Sequence, residues 1–135
     1  MKKAVLGAVS ITAAAVLGLT ACGGSGSSEQ DGGSGAPIVV RSVNSLSGAI
    51  TFPESSAAAK AVFDAYNEAG GLDGRHIDYK ALDDKLDPAT ANAMAREAVG
   101  SDGAVAMVGS ASMIECELNA GYYTQEGVLS IPGTG

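Results

Sequence analysis

From Pro37 onward the chain alternates short β-branched runs with segments of helical period, and that order constrains its fold more than any other feature. Ile38-Val39-Val40-Arg41-Ser42-Val43 reads as a buried strand, broken by Ser45-Leu46-Ser47-Gly48. Ala58, Ala61, Val62, Ala65, Tyr66 and Ala69 then recur on the helical period and predict the inner face of a first helix, with Lys60, Asp64, Asn67 and Glu68 outside it. Gly70 and Gly71 stop that helix. Arg75 to Leu82 alternates as a strand, Ile77, Tyr79 and Ala81 facing inward and His76, Asp78 and Lys80 facing solvent. Asp87-Pro88 opens a second helix with an N-cap and a first-turn proline, and Ala91, Met94, Ala95, Ala98 and Val99 form its face. Ala104 to Val108 predicts a third strand. Ser112 with Glu115 three residues on predicts a capping box, opening a third helix whose inner face is Ile114, Leu118, Gly121 and Tyr122. Gly127 ends it and Val128 to Ile131 is a fourth strand. Strands and helices in this order make an α/β fold: a three-layer parallel sheet with right-handed crossovers. Ligands of such sheets sit outside the carboxyl ends of the strands, here Ser45–Phe52, Gly109–Met113 and Pro132–Gly135.

The first 36 residues are of another kind. Lys2 and Lys3 precede an apolar run from Ala4 to Leu19, and small residues follow, which are the parts of a secretory signal. Leu19-Thr20-Ala21-Cys22 resembles the bacterial lipoprotein box, in which the cysteine is lipidated and becomes the mature N-terminus. The expectation is a signal peptide over 1–21, a lipid on Cys22, and an extracytoplasmic protein anchored to the cell membrane through it. Two acyl chains hold such an anchor firmly where one holds marginally. The 18 residues Ala4–Ala21 also match a membrane-spanning length, so an uncleaved signal anchor is the competing reading, though it needs no cysteine at its end. Residues 22–36 are a Gly/Ser-rich tether. The 14 residues after Cys22 have an r.m.s. span of about 20 Å.

Charge removes several partners. The chain has 8 basic and 15 acidic residues; without Met1–Ala21, which hold two lysines and no acid, the net charge is −9. That excludes nucleic acid as a partner and a polybasic membrane surface, and the absence of tryptophan argues against a base-stacking platform. With Cys22 lipidated, Cys116 has no partner in the chain. Two readings stand for it: a disulfide to a partner outside the chain, or a buried free thiol acting as a small hydrophobe. Asp83 and Asp84 are read as a strand end and Asp87 as a helix cap, not as a metal cluster. His76 lies alone in a strand, with no second histidine or cysteine to build a zinc site. Gly70-Gly71-Leu72-Asp73-Gly74 follows a helix, so it is not a dinucleotide fingerprint. No nucleophile has a base at a recognisable spacing, so the chain is read as a non-enzyme without cofactor or metal.

Ser45-Leu46-Ser47-Gly48, Asn67-Glu68-Ala69-Gly70-Gly71-Leu72-Asp73-Gly74-Arg75, Asp83-Asp84 with Asp87-Pro88, and Val108-Gly109 stand in the order and spacing of the leucine/isoleucine/valine-binding type of periplasmic binding protein. The chain resembles that family over about 98 positions, from Ile38 to its last residue. The resemblance implies a type I periplasmic-binding-protein fold, two αβ lobes that close on a solute and deliver it to ABC permease subunits. Residues 37–135 are then expected to be part of the N-terminal lobe, the second lobe being absent. The family holds an amino-acid carboxylate with a hydroxyl and backbone N–H groups at the start of the third helix, where unpaired donors and a partial positive charge gather. The position of the family's serine falls here at Met113, so the resemblance carries the solute contact to Ser110, Ala111, Ser112 and Met113 together. It adds Thr134, expected in the loop after the fourth strand, and Phe52, an aromatic covering the apolar part of the solute. Branched-chain amino acids, amides and related small polar solutes are the implied ligands. The alternative is an extracellular ligand-sensing domain of the same fold.

Overall fold

A computed structural model describes residues 35–134. The signal segment, Cys22 and the tether to Ser34 lie outside the described residues, as does Gly135. Four strands and three helices alternate: β1 (Ile38–Asn44), α1 (Pro53–Glu68), β2 (Ile77–Asp83), α2 (Pro88–Arg96), β3 (Ala106–Ala111), α3 (Glu115–Glu126) and β4 (Leu129–Thr134). All pairings are parallel and the sheet order is β2-β1-β3-β4. Stepping from β1 to β2 and then back across β1 to β3 reverses direction, so right-handed crossovers place α1 on one face and α2 with α3 on the other.

The packing follows the alternation along β1. Val43 turns to the α2/α3 face and joins Leu82, Met107, Ala95, Ala98, Ala104 and Tyr123 in the main apolar cluster. Ser42 turns to the α1 face, where its hydroxyl meets the Tyr79 hydroxyl at 2.8 Å and the Tyr79 ring packs on Phe63 at 5.2 Å. Alanines on α2 and in the turn that continues it bring this segment close to the sheet: Ala91, Ala95 and Ala98 are fully buried, as their spacing predicts. Asp87 caps α2 by accepting from the Thr90 N–H at 2.7 Å. The helix then widens into a π-helical turn over Glu97–Ser101, closed by Asp102 N–H donating to the Glu97 carbonyl at 2.8 Å. Asp102 is thereby placed to accept from Arg41 Nε at 2.6 Å, while Asp78 accepts from Arg41 Nη2 at 3.0 Å. Asp78 and Lys80 are therefore not simply a solvated row: Lys80 also lies 3.6 Å from Glu97.

Two helical faces differ from expectation. Ala58, Ala61, Ala65 and Ala69 are exposed, and so are Val62 and Tyr66, so the apolar stripe of α1 points outward. The helix packs on the sheet through Phe63 and the small or polar Ser55, Ser56, Ala59 and Asn67. Asn67 earns its place by accepting from Ile77 N–H at 2.8 Å and donating to the Ile77 carbonyl at 2.9 Å, which ties the end of α1 to the start of β2. On α3 the inner face is Glu115, Asn119 and Tyr123, one position along from the expected row. Leu118 and Gly121 are exposed and Ile114 and Tyr122 only half-buried. The Tyr123 hydroxyl donates to Glu115 Oε1 at 2.5 Å, and Asn119 donates to the Ala91 carbonyl at 3.4 Å.

One glycine sets how near α1 approaches. Gly109 has φ +79°, and a Cβ there would lie 2.9 Å from Ala59 Cβ. Gly103 has a similar φ of +72° but open space around it. Gly109→Ala is expected to lower stability by about 2 kcal/mol or more, from backbone strain plus overpacking, and Gly103→Ala by about 1 kcal/mol from strain alone. Urea midpoints of the two variants check the difference.

Burial pushes the Glu115 carboxyl above its ordinary value; the Tyr123 hydroxyl opposes this and the Asp84 charge adds to it. A folded pKa raised above the unfolded one gives stability that is complete below the unfolded value, near 4.5, and lost as pH rises through the folded value. Glu115→Gln keeps an acceptor for Tyr123 without the charge. It is expected to raise Tm at pH 8 by about 4–8 °C, the effect of about 1 kcal/mol in a domain this size. Thermal melts at pH 4 should show the gap closed.

Candidate functional site

The site is built where the β1–β3 ladder breaks. Arg41 pairs with Met107 and Asn44 with Ala111, so β3 carries one residue more than β1 between these points. Gly109 lies in that extra step. Side chains replace the interrupted ladder: Val43 N–H donates to Ser110 Oγ at 3.2 Å, and Asn44 Nδ2 donates to the Gly109 carbonyl at 3.0 Å. Ser55 Oγ donates to the same carbonyl at 3.0 Å, fixing the start of α1 over the break. Gly133 of β4 is equally close, since a Cβ there would run into Ser55 Oγ.

Beyond the break the loops diverge, β1 leading to α1 on one face and β3 to α3 on the other. Phe52 N–H donates to the Ser45 carbonyl at 2.9 Å and closes the first loop. Phe52 is half-buried and lines a groove of about 510 Å³ that also takes in Ser55, Ala58, Val108, Ile131 and Thr134. Two of the expected contact residues, Phe52 and Thr134, are thus brought together. The groove does not take in Ser110, Ala111, Ser112 or Met113.

Their placement follows from where β3 ends. The strand runs on to Ala111, past the expected end at Val108, so Ser110 and Ala111 are strand residues, 2% and 0% exposed. The fourth strand likewise runs to Thr134, which is therefore part of β4 and not of a following loop. Met113 stands 63% exposed, and Ser112 beside it is 7% exposed.

Ser112 Oγ accepts from the N–H groups of both Ile114 and Glu115 at 3.2 Å. This is half the expected capping box. The reciprocal arm is missing because the Glu115 carboxylate is turned inward to Tyr123. With two acceptor positions of the oxygen occupied, the Ser112 hydroxyl hydrogen is left to donate. A pre-aimed O–H at a helix N-terminus suits an anion or a carbonyl oxygen. Ser110 has spent one acceptor position on Val43 and is buried below.

Several contributors escaped the sequence reading. Ile50, 46% exposed, extends the apolar surface of the first loop. Asn44, Ser45 and Asp84 are fully buried at the strand ends, and Asn44 Oδ1, Ser45 Oγ and Asp84 Oδ2 have no hydrogen-bond partner among the described residues. Polar side chains continuing a β-branched run were the available signal. Cys116 is exposed in the first turn of α3, which overturns its reading as a buried hydrophobe. Among the described residues no group of three or more His, Cys, Asp or Glu could hold a metal ion, and no helix is long and apolar enough to cross a membrane.

The periplasmic binding protein family matches residues 39–135. No curated protein matches the chain. Among solved structures, the branched-chain amino acid transporter substrate-binding protein LivJ from Streptococcus pneumoniae, in complex with isoleucine, is similar with a TM-score of 0.65 and 26% identity. That match covers 71% of this chain and 28% of LivJ. A fatty acid ABC transporter substrate-binding protein from Thermomonospora curvata has the same fold, with a TM-score of 0.64 at 19% identity over 75% of this chain and 26% of its own. So does a type 1 periplasmic binding protein from Bordetella pertussis Tohama I, with a TM-score of 0.62 at 23% identity over 70% of this chain and 26% of its own. The chain spans about a quarter of the length of these structures. Its order β2-β1-β3-β4 is accordingly part of a type I periplasmic-binding-protein fold, and the chain belongs to the periplasmic binding protein family.

Proposed function

We propose that this chain is the solute-capturing part of an extracytoplasmic lipoprotein that serves ABC permease subunits, tethered to the membrane by a lipid on Cys22. Residues 37–135 act as part of the first of two lobes, and closure of the second lobe completes the site. The solute is small, with a carboxylate or amide head and an apolar side, a branched-chain amino acid first among such compounds. The observation that carries this reading is the Ser112 hydroxyl, its acceptor positions taken by Ile114 and Glu115 and its hydrogen left to donate at the carboxyl end of a parallel sheet. Phe52, Ile131 and Thr134 line a groove on the α1 side of the break, and Met113 adds an exposed apolar side chain. Isoleucine in LivJ and the fatty acid named for the Thermomonospora protein share this plan of carboxylate and hydrocarbon. Binding is a capture by donors and apolar surface, with no bond made or broken.

Titrating the ¹⁵N-labelled chain with isoleucine is expected to move the amide signals of Ser112, Met113, Phe52 and Thr134, with affinity in the millimolar range or weaker. Ser112→Ala should reduce that affinity about tenfold, the loss of one hydrogen bond to a charged group. Shifts confined to other regions would defeat the site, and micromolar binding by this chain would defeat two-lobe closure. The anchor is tested separately. The unaltered protein is expected to incorporate labelled fatty acid and Cys22→Ser to abolish that incorporation while residues 1–21 stay attached, whereas a signal anchor would carry no label in either protein.

A further inference from the structure

Leu46 and Ser47 begin the loop that carries Ile50 and Phe52, and what holds them is a carboxylate from another strand. Asp83 ends β2 in register with Asn44. Its Oδ1 accepts from the N–H groups of Leu46 at 3.0 Å, Ser47 at 3.2 Å and Lys85 at 2.9 Å, and its Oδ2 accepts from the Ser47 hydroxyl at 2.5 Å. One side chain thus joins the loop after β1 to the turn after β2. That turn is itself unusual, because Lys85 and Leu86 are consecutive non-glycine residues at φ +56°. Asp84 Oδ1 holds it by accepting from Leu86 N–H at 2.8 Å, and Asp87 N–H donates to the Asp84 carbonyl at 2.9 Å. Loop and turn also meet directly: a Cβ on Gly48, at φ +110°, would lie 3.1 Å from the Lys85 carbonyl oxygen. A strained turn pressed against a loop, with one carboxylate bonded to both, fixes the loop's position from outside the loop.

We propose that Asp83 is a positioning residue: it orders Leu46–Phe52 in the geometry that receives the solute, without touching the solute. The consequence for binding rests on the solute-binding reading above, but the ordering is measured without any solute. Burial pushes the Asp83 carboxyl up, and the Ser47 hydroxyl with the N–H groups of Lys85, Leu46 and Ser47 more than reverses this, leaving it below its ordinary value. Holding the loop beforehand removes an ordering cost from the binding step.

The test is amide hydrogen exchange on the ¹⁵N-labelled chain, with the amides of β1 as an internal control. Asp83→Ala is expected to speed exchange at Leu46 and Ser47 at least tenfold with β1 unchanged. It should also weaken isoleucine-induced shifts at Phe52 while sparing those at Ser112. Asp83→Asn keeps one acceptor oxygen and is expected to restore part of the protection. Ser47→Ala removes a single donor from an exposed position, and ¹³C titration of the Asp83 carboxyl should then move up toward the ordinary value. Unchanged Leu46 and Ser47 exchange in Asp83→Ala would overturn the proposal. So would lost Phe52 shifts with wild-type loop exchange, which would make Asp83 a direct contact. If Asp83→Ala disturbs β1, an unmoved Asp83 titration in Ser47→Ala overturns it. Should isoleucine shift nothing in any variant, the solute-binding reading fails, and the exchange rates still decide the ordering.

Discussion

The break between β1 and β3 is the constraint on which the rest of this structure depends. A parallel ladder that stayed regular to the ends of both strands would leave Gly109 no extra step and the Gly109 carbonyl no call for two side-chain donors. Inserting one residue in β3 releases that carbonyl, and Asn44 and Ser55 claim it. Ser55 is in the first turn of α1, so the same break that interrupts the sheet also docks the helix. Because the crossovers leave β1 and β3 in opposite directions, the gap falls where open α/β sheets hold their ligands. The inserted residue accounts for the structural repair, and the crossovers account for where the gap lies.

A second theme is polarity where a core would ordinarily be apolar. Arg41, Asn44, Ser45, Asp84, Glu115 and Asn119 are all buried, and the apolar cluster is small, with alanines at Ala95, Ala98 and Ala104. Buried polar groups cost free energy unless paired, and most here are paired: Arg41 with Asp78 and Asp102, Glu115 with Tyr123. The unpaired atoms gather at the carboxyl ends of β1 and β2, on the side that receives the solute under the reading above. Sites concentrate such departures from regular packing. Glu115 links the two themes, since turning inward to Tyr123 gives up the second half of the capping box and leaves Ser112 to hold the start of α3 alone.

This polarity also decides how much was legible in the sequence. Alternation of β-branched runs and helical periods located every element, and the parallel α/β class followed from their order. On α2 the inner face was readable because alanines there are both buried and apolar. On α1 and α3 it was not. Periodicity finds the most apolar row, and on α1 that row, Val62 and Tyr66 included, faces outward while Ser55, Ser56 and Asn67 face the sheet. On α3 the buried row is Glu115, Asn119 and Tyr123, which no hydrophobic pattern marks. The strand ends were misjudged for a related reason: Gly109, Ser110, Pro132 and Gly133 look like loop residues, yet the bulge accommodates the first two and the irregular β3–β4 register accommodates the others. Within the site, Ser112 was legible as a cap, because a hydroxyl three residues before a glutamate has few other uses. Long-range partners such as Asp83 with Ser47 were not, since nothing local in a sequence reports a contact across 36 positions.

The adjacent acids Asp83 and Asp84 show what a strand does to a motif. In sequence they form one feature, a pair of acids at a strand end. Successive side chains of a strand point to opposite faces, so the pair is divided. Asp83 turns toward the loop after β1 and gathers four donors there. Asp84 turns toward α3, is fully buried, and adds its charge to the environment that raises Glu115. The left-handed turn at Lys85 and Leu86 needs both: one carboxylate accepts from Lys85 and the other from Leu86. A pair of acids at this point can therefore govern two different neighbourhoods through one turn, the outer one a loop beside the groove and the inner one the underside of the helix whose start carries Ser112. Asp83 closes β2 and Asp84 follows it directly, so the two carboxylates reach opposite sides of the sheet from one place.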